Sequence, residues 1–238
     1  MEKDTGAELK LFGVRIQAKM PDAHFKEMLS LVDEKKQQKI LRFLHWQDAY
    51  RALFSDILVR AILIKHWKFR NTEILFSYGE FGKPMLTNSN GIHFNVSHSG
   101  EMIVAAFDKM NVGIDVEQVG DIDLSLSANY FSPEEHFEII NFKNPQDKFF
   151  EYWTLKESYI KFTGRGLSEH LDSFKIAIQP KNEILVIKEG KLLENVFFKQ
   201  FNWDPQYKIA LCSERSRFSG DCVFYSINEL VKIIKTVG

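Results

Sequence analysis

The stretch Gly113-Ile114-Asp115-Val116-Glu117 alternates apolar side chains with two carboxylates. Successive side chains of a strand point to opposite faces, so Asp115 and Glu117 would share one face while their apolar neighbours enter a core. Two acids on one strand face can contribute to a site for a divalent cation. The alternative interpretation is an ordinary strand whose polar face is solvated.

A second stretch, WTLKESYIK at 153–161, has the residue types of a helix. Glu157 and Lys161 would lie one helical turn apart, with Lys156 beside them. Together the two stretches supply three acids and two lysines, which could hold a divalent cation and the polyanion that it neutralises. This combination indicates phosphate chemistry. The structural alternative is a surface Glu–Lys pair, which stabilises a helix by only about 0.2–0.5 kcal/mol.

The composition is that of a globular protein, with 45% apolar residues in a chain of 238. The net charge of −1 provides no general basic field for nucleic acid. Residues 1–4 are polar and lack the apolar core of a signal peptide, and the most apolar run, 57–64, is too short to cross a bilayer. Cys212 and Cys222 match no common metal motif and are expected to be reduced. We therefore expect a cytoplasmic protein that binds neither nucleic acid nor membranes.

Periodicity predicts long helical regions over 31–67 and 147–163, the second ended by Gly164. Another helix begins at Pro133, with Ser132 as its N-cap. Short strands are predicted at 92–96, 102–107, 112–117, 173–179, 183–188, 195–202 and 207–213. A helix followed by strands thus occurs twice, which would suit a duplicated α/β unit with a site between its halves.

Two turns carry groups that could bind phosphate. Lys83 lies between Gly82 and Pro84, where the glycine lets the backbone approach a ligand and the proline stiffens the turn. Residues 97–100, SHSG, are predicted to turn between two strands and could form an anion nest. His98 in this turn could equally bond the local backbone.

A basic cluster lies in the first helical region. Spacings of three and four residues would put several of its members along one side of a helix, where they could grip a phosphomonoester. A solvated helix surface is the alternative, because acidic and Gln residues are mixed in. The cluster consists of Lys35 or Lys36, Lys39, Arg42 and Arg51.

The sequence shows no nucleophile of its own. Neither cysteine has an evident histidine partner, and Gly-x-Ser-x-Gly, Gly-x-Gly-x-x-Gly and Walker-type motifs are absent from it. A metal-assisted transfer, in which a second substrate supplies the nucleophile, is the chemistry that fits.

Taken in order, four blocks resemble the 4′-phosphopantetheinyl transferases of the long, monomeric type that activates surfactin synthetase. The blocks are FGKP at 81–84, FNVSHSG at 94–100, VGIDVE at 112–117 and WTLKESYIK at 153–161. The resemblance covers about 33–212. It implies an α/β (α+β) fold of two similar halves related by a pseudo-twofold axis, each a small sheet packed on a long helix. We place the halves at 1–111, the nucleotide side, and 112–238, the metal and pyrophosphate side, the latter with a tail at about 214–238.

The implied reaction transfers 4′-phosphopantetheine from coenzyme A to a serine of an apo peptidyl or acyl carrier protein and releases adenosine 3′,5′-bisphosphate. The resemblance implies Mg²⁺, or Mn²⁺, on Asp115, Glu117 and Glu157. It also makes Glu157 the base for the serine hydroxyl, and a water held by the metal is the alternative route for the proton. A monomer that serves nonribosomal peptide synthesis and antibiotic biosynthesis is expected.

The same resemblance implies which side chains contact coenzyme A. The basic cluster would hold its 3′-phosphate, and Lys83 would lie beside the nucleotide. His98 and Lys156 would bind phosphate, and Lys161 would stabilise the pyrophosphate. Among these, Lys161 and His98 join Glu157 as catalytic residues. The implied contacts are Lys35 or Lys36, Lys39, Arg42, Arg51, Lys83, Pro84, Ser97, His98, Lys156 and Lys161.

Two other functions stay open at this level. A catalytically silent coenzyme A or nucleotide-binding module that regulates a partner would not need all three acids, and a metal-dependent phosphohydrolase would break down coenzyme A without a carrier. The segment 118–145 is a candidate docking surface for the carrier protein, although Tyr130, Phe131 and Phe137 in it are expected to be core residues.

Overall fold

The computed structural model describes residues 9–218 and 221–237, so the polar residues 1–4 lie outside the described chain. The helices of the described chain are α1 (Asp22–Leu29), α2 (Glu34–Ile40), α3 (Trp46–Trp67), α4 (Leu126–Tyr130), α5 (Pro133–Ile140), α6 (Pro145–Thr163) and α7 (Ile227–Val237). Its strands are β1 (Lys10–Arg15), β2 (Phe76–Tyr78), β3 (Pro84–Leu86), β4 (His93–Ser99), β5 (Met102–Asp108), β6 (Val112–Gln118), β7 (Phe174–Ile178), β8 (Ile184–Lys188), β9 (Lys191–Leu192), β10 (Phe197–Phe201), β11 (Tyr207–Ser213) and β12 (Cys222–Tyr225). None of the described helices has both the length and the apolar character that crossing a membrane would require.

The first half consists of a four-stranded sheet, in the order β12-β1-β5-β4, packed on the 22-residue helix α3. β5 is buried throughout: Ile103, Ala105 and Phe107 face α3, because alternate side chains of a strand share a face. β12 pairs with β1 in parallel, and α7 packs against α3. The described part of the C-terminal tail therefore belongs spatially to the first sheet, while the division of the chain at 111/112 stays a prediction.

The second half repeats this plan on a smaller scale. The antiparallel sheet β10-β11-β6 packs on the 19-residue helix α6, and the strands β7-β8-β9 cover another side of that helix. Pro145 occupies the first turn of α6, and Gly164 ends it in the left-handed region at φ 73°. The predicted architecture of small sheets packed on long helices is confirmed, whereas the pseudo-twofold relation stays a prediction.

A third apolar cluster fills the space between the two main sheets. β5 contributes Met102 and Val104 to it, and β6 contributes Ile114 and Val116. The predicted alternation of β6 is therefore confirmed, with its apolar residues in this core and its acids on the opposite face. Both cysteines of the chain are free.

Two sequence predictions of local structure are wrong. The helical region at 31–67 is interrupted after α2, where the backbone N–H groups of Arg42 and Phe43 bond carbonyls only three residues back. The apolar period continues through this break, yet Leu44 is 95% exposed. The predicted turn at 97–100 begins later, because β4 continues to Ser99 and pairs with β5 along its whole length.

Gly113 permits the contact between β6 and α6. A β-carbon at this position would lie 2.1 Å from the carbonyl oxygen of Ser158 and 2.3 Å from the backbone nitrogen of Phe162. Both are backbone atoms of α6, so no side-chain rotation can make room for the β-carbon. Only glycine allows the helix to lie this close to the strand.

We therefore expect the substitution Gly113→Ala to lower the free energy of unfolding by about 3 kcal/mol or more, because the helix backbone must move. Urea denaturation followed by circular dichroism measures the change. Gly120→Ala is the matched control, since nothing lies within 4 Å of a β-carbon at Gly120. Equal stabilities of the two variants would contradict this account of the α6–β6 contact.

Candidate functional site

A cavity of about 590 Å³ lies where the two halves meet. The first half contributes the turn at 81–84 and residues of β4, and the second half contributes α6 and the loop that follows it. Glu157 and Lys161 line the cavity directly, together with the half-buried Trp153. Two of the predicted catalytic residues thus face the same cleft.

The edge strands β4 and β6 are joined by side chains. Three polar residues, spaced by two along β4, form hydrogen bonds with groups at positions 114, 115 and 117 of β6. The contacts are Ile114 N donating to Asn95 Oδ1 (2.8 Å), Ser97 Oγ donating to Asp115 Oδ1 (2.9 Å) and Ser99 Oγ donating to Glu117 Oε2 (2.7 Å). This polar ladder covers both edges and fixes the acids against the first half.

Lys161 connects the helix of the second half to this ladder. Its ammonium nitrogen lies 2.5 Å from Asp115 Oδ1 and 2.7 Å from Ser97 Oγ. An ammonium group has three N–H donors, so two of them are used within the protein and one is left for a ligand in the cleft. Asp115 itself is buried, and its second oxygen, Oδ2, has no hydrogen-bond partner among the described residues.

The three acids lie in a region with too little positive charge. Burial, which outweighs the attraction of Lys161, raises the pKa of Asp115. Burial and then the charge of Asp115 raise the pKa of Glu117 to about 7. The same two causes, in the same order, raise the pKa of Glu157. Uncompensated carboxylates and an unpartnered buried oxygen suit a bound cation.

The predicted metal ligands are nevertheless not gathered into a finished ligand shell. Within 9–218 and 221–237, no group of three or more His, Cys, Asp or Glu side chains is arranged to hold a metal ion. One oxygen of Asp115 is occupied by Lys161, and one oxygen of Glu117 is occupied by Ser99. The donor set fits a divalent cation by its chemistry, and the metal site stays a prediction.

The charges of three cationic side chains act on His98. His98 lies on the face of β4 opposite Ser97, with its side chain exposed at the surface. Crowding by the surrounding protein, followed by the charges of Lys161, Arg51 and Lys36, lowers the pKa of this imidazole. Arg51 is held by the carbonyl of Gly100 at 3.1 Å. Each of these three cations also pairs with an aspartate, and each could contact an anionic ligand through its remaining N–H groups.

The basic cluster of the sequence is divided between α2, the loop after it and α3. Lys36 is half-buried and lies 3.8 Å from Asp56, and it is the member of the Lys35/Lys36 pair whose charge reaches His98. Lys35, Lys39 and Arg42 are exposed. The structure therefore distinguishes Lys36, whose charge acts on His98, from the exposed Lys35.

Lys156 does not reach the cleft, contrary to its predicted contact with phosphate. Its ammonium nitrogen is fully buried and lies 3.0 Å from Glu135 Oε2, 2.8 Å from the carbonyl of Leu171 and 2.6 Å from the carbonyl of Phe174. These three acceptors use all three N–H donors, so none remains for a ligand. Lys156 instead ties α6 to α5 and to the start of β7.

Lys83 closes the opposite wall of the cavity. Its ammonium group donates to the carbonyls of Val112 at 3.1 Å and Phe162 at 3.4 Å, and burial lowers its pKa to about 8. Pro84 lines the cavity beside it. The predicted nucleotide-binding turn therefore also fastens the first half to the second.

The sequence reasoning missed two members of the polar ladder, Asn95 and Ser99. The signal for Asn95 was its alternation with apolar residues in the predicted strand 92–96, whereas Ser99 fell in the predicted turn and carried no such signal. The expectation that Tyr130 and Phe137 are core residues is wrong, since their exposed fractions are 43% and 65%, whereas Phe131 is buried as expected. Tyr130 lines the cavity.

Comparison with known proteins adds independent findings. Residues 111–212 match the family model described as the 4′-phosphopantetheinyl transferase superfamily, and residues 19–110 match the model described as 4′-phosphopantetheinyl transferase, N-terminal. The 4′-phosphopantetheinyl transferase ffp of Bacillus subtilis is 33% identical over 228 residues, which cover 94% of this chain and all of that protein. The 4′-phosphopantetheinyl transferase Sfp of Bacillus subtilis strain 168 is 32% identical over 225 residues, which again cover 94% of this chain and all of that protein. The 4′-phosphopantetheinyl transferase gsp of Aneurinibacillus migulanus is 36% identical over 195 residues, 81% of each chain.

The raised pKa of Glu117 predicts a pH-dependent stability. Between its ordinary pKa of 4.5 and the folded value of about 7, the folded protein retains a proton that the unfolded chain has released. The contribution of Glu117 to the free energy of unfolding is therefore present below the ordinary value and is lost as the pH rises through this window. We expect Glu117→Gln to remove this part of the pH dependence.

Urea denaturation of wild type and Glu117→Gln at pH values from about 4.5 to 8 measures the difference. The control is Glu194→Gln at an exposed position, which should leave the pH dependence of the free energy of unfolding as in the wild type. Parallel profiles for wild type and Glu117→Gln would show that the carboxyl group is not held protonated.

Proposed function

Since the chain belongs to the 4′-phosphopantetheinyl transferase superfamily, we propose that it transfers the phosphopantetheine arm of coenzyme A to a serine of an apo carrier protein. The cluster formed by Asp115, Glu157 and Lys161 is the observation that carries this proposal. It places two acids and an ammonium group with a free donor at one cleft. A silent binding module would not require this arrangement.

In the proposed reaction, the serine hydroxyl oxygen attacks the β-phosphorus of coenzyme A. A new oxygen–phosphorus bond forms, and the bond from this phosphorus to the oxygen that bridges the two phosphates breaks. Adenosine 3′,5′-bisphosphate leaves with that oxygen. Glu157 accepts the serine proton directly or through a water, and its raised pKa makes it a better base near neutral pH than an ordinary glutamate.

Asp115, Glu117 and Glu157 would hold Mg²⁺, or Mn²⁺ in its place. The unpartnered Oδ2 of Asp115 is the support for this assignment in the structure. A bound divalent cation would neutralise charge on the pyrophosphate. Lys161 adds a positive charge from the protein, with its remaining N–H directed to the developing charge of the leaving group.

His98 and the cationic side chains that act on it would bind the phosphates of the coenzyme. His98 and Lys161 are proposed for the pyrophosphate, and Lys83 with Pro84 for the side of the nucleotide. The basic cluster, with Lys36 as its inner member, would take the 3′-phosphate together with Lys39, Arg42 and Arg51. Lys156 has no part in this assignment, because its three donors are used within the protein.

We expect Asp115→Ala and Glu157→Ala each to lower the transfer rate by at least about 100-fold without loss of the fold, since each removes charge needed at the reacting phosphate. Intact mass spectrometry of an apo peptidyl carrier domain, incubated with the protein, coenzyme A and Mg²⁺, detects the gain of one phosphopantetheine. The exposed Glu183, changed to Gln, is the control.

The same experiment separates the rival functions. Binding of coenzyme A without transfer to any apo carrier would indicate a silent module, and breakdown of coenzyme A without a carrier would indicate a phosphohydrolase. Wild-type transfer rates in both acid variants would contradict the proposed site. Omission of the metal is expected to abolish transfer.

The segment 118–145 is proposed as part of the docking surface for the carrier, in a monomeric cytoplasmic enzyme of nonribosomal peptide synthesis. Phe137, on the outer face of α5, presents an unpartnered aromatic ring with 65% of its surface exposed. Burial of such a ring in an interface typically contributes about 1 kcal/mol or more. The position of α5 beside α6 would bring a docked carrier close to the cleft.

We expect Phe137→Ser to raise the KM for the carrier about fivefold or more while leaving kcat and the KM for coenzyme A unchanged. Steady-state kinetics with varied carrier concentration measures this. Leu192→Ser is the matched control, because Leu192 is a similarly exposed apolar residue, 50% exposed, on β9. An equal effect of the two substitutions would remove α5 from the docking surface.

A further inference from the structure

Arg60 lies inside the first half, beside the beginning of α2. Its side chain is 3% exposed, and its guanidinium group donates to acceptors on four different residues. The acceptors are Asp56 Oδ1 at 2.5 Å, Asp33 Oδ2 at 3.2 Å, Asn71 O at 3.2 Å, Asn71 Oδ1 at 3.1 Å and Ile74 O at 3.3 Å. A planar fork of donors makes such an arrangement possible, and lysine could not reproduce it.

Arg60 bonds two carboxylates, those of Asp33 and Asp56, and each of them also contacts Lys36. Asp33 is the N-cap of α2, and its Oδ1 accepts a hydrogen bond from the backbone nitrogen of Lys36 at 3.0 Å. The second oxygen of Asp56 lies 3.8 Å from the ammonium nitrogen of Lys36. One buried arginine therefore fixes Lys36 at its backbone and at its charged end.

The network also contacts the beginning of the helix that carries Lys36. α2 has seven residues, of which only Ile40 is buried, and a helix this short is not stable by itself. Gln37 adds one bond, from its side chain to the carbonyl of Val32. The Arg60 network adds a hydrogen bond from α3 to Asp33, the N-cap of α2.

We infer that Arg60 is a positioning residue that gives the enzyme its preference for a coenzyme with a 3′-phosphate. By holding Asp33 and Asp56, it fixes the backbone and the ammonium group of Lys36 on α2, the helix that also carries the exposed Lys39. A phosphomonoester dianion is the group that two such ammonium charges would recognise. This inference rests on the proposed function, and it concerns discrimination between coenzymes and not the transfer step.

Its test compares coenzyme A with 3′-dephospho-coenzyme A as donors to one apo carrier domain. Arg60→Lys keeps the positive charge but loses the fork, and we expect it to raise the KM for coenzyme A about tenfold, the loss of roughly one charged hydrogen bond. The KM for the dephosphorylated donor and both kcat values should stay unchanged. The preference of the wild type for coenzyme A would thereby shrink.

Asp33→Asn provides a second variant if Arg60→Lys does not fold. The side chain of Asp33 is 46% exposed, and Asn is an equally good N-cap, so α2 keeps its beginning while the charged link to Arg60 is broken. The same selective rise in KM is expected. Ser226→Ala is the control, because it removes a cap of α7, a helix without any proposed ligand.

An equal rise in KM for both donors, or no rise for either, would overturn the inference, since a general structural defect does not select between them. Failure of the wild type to discriminate between the donors would overturn it as well. Absence of transfer from either donor by the wild type would instead refute the proposed function, and the inference with it.

Discussion

The close contact of α6 with β6 at Gly113 is the constraint on which the site depends. Ser158 and Phe162 are the residues of α6 that a side chain at Gly113 would strike, and each directly follows a residue of the cluster, Glu157 and Lys161. The contact that brings the helix backbone down onto the strand therefore also brings these two side chains to Asp115. A bulkier residue at Gly113 would push α6 away from β6 and so separate Glu157 and Lys161 from Asp115.

The two halves meet through polar groups at the cleft and through apolar groups behind it. Behind the cleft, the two sheets share an apolar cluster, which holds the halves together but does not fix their relative orientation, because the hydrophobic effect is non-directional. At the cleft, the polar ladder from β4 to β6 fixes how the two strands are oriented, because hydrogen bonds require defined distances and angles. Lys161 then links three elements at once, β4, β6 and α6. This division explains how a buried carboxylate is tolerated at an edge where two sheets end.

Features coded by neighbouring residues could be predicted, and features set by distant ones could not. The alternation of β6 and the end of α6 at Gly164 follow from local patterns. A phosphate contact was predicted for both Lys156 and Lys161, although five residues rotate a helix by about 140°, so that the two side chains point in different directions. The break after α2 escaped prediction because an apolar period does not reveal which of its residues, such as Leu44, are left exposed.

The parallel pairing of β12 with β1 has a consequence for the order in which the chain can fold during synthesis. Leu11 pairs with Cys222, so the first sheet needs a strand that leaves the ribosome after every strand of the second half. The sheet β10-β11-β6 has its full set of strands as soon as β11 emerges. Domains made early in translation usually fold first, but here the half begun first is completed last. Until then, β1 keeps an open edge that another chain could pair with, which makes the final stage of synthesis the one most exposed to aggregation.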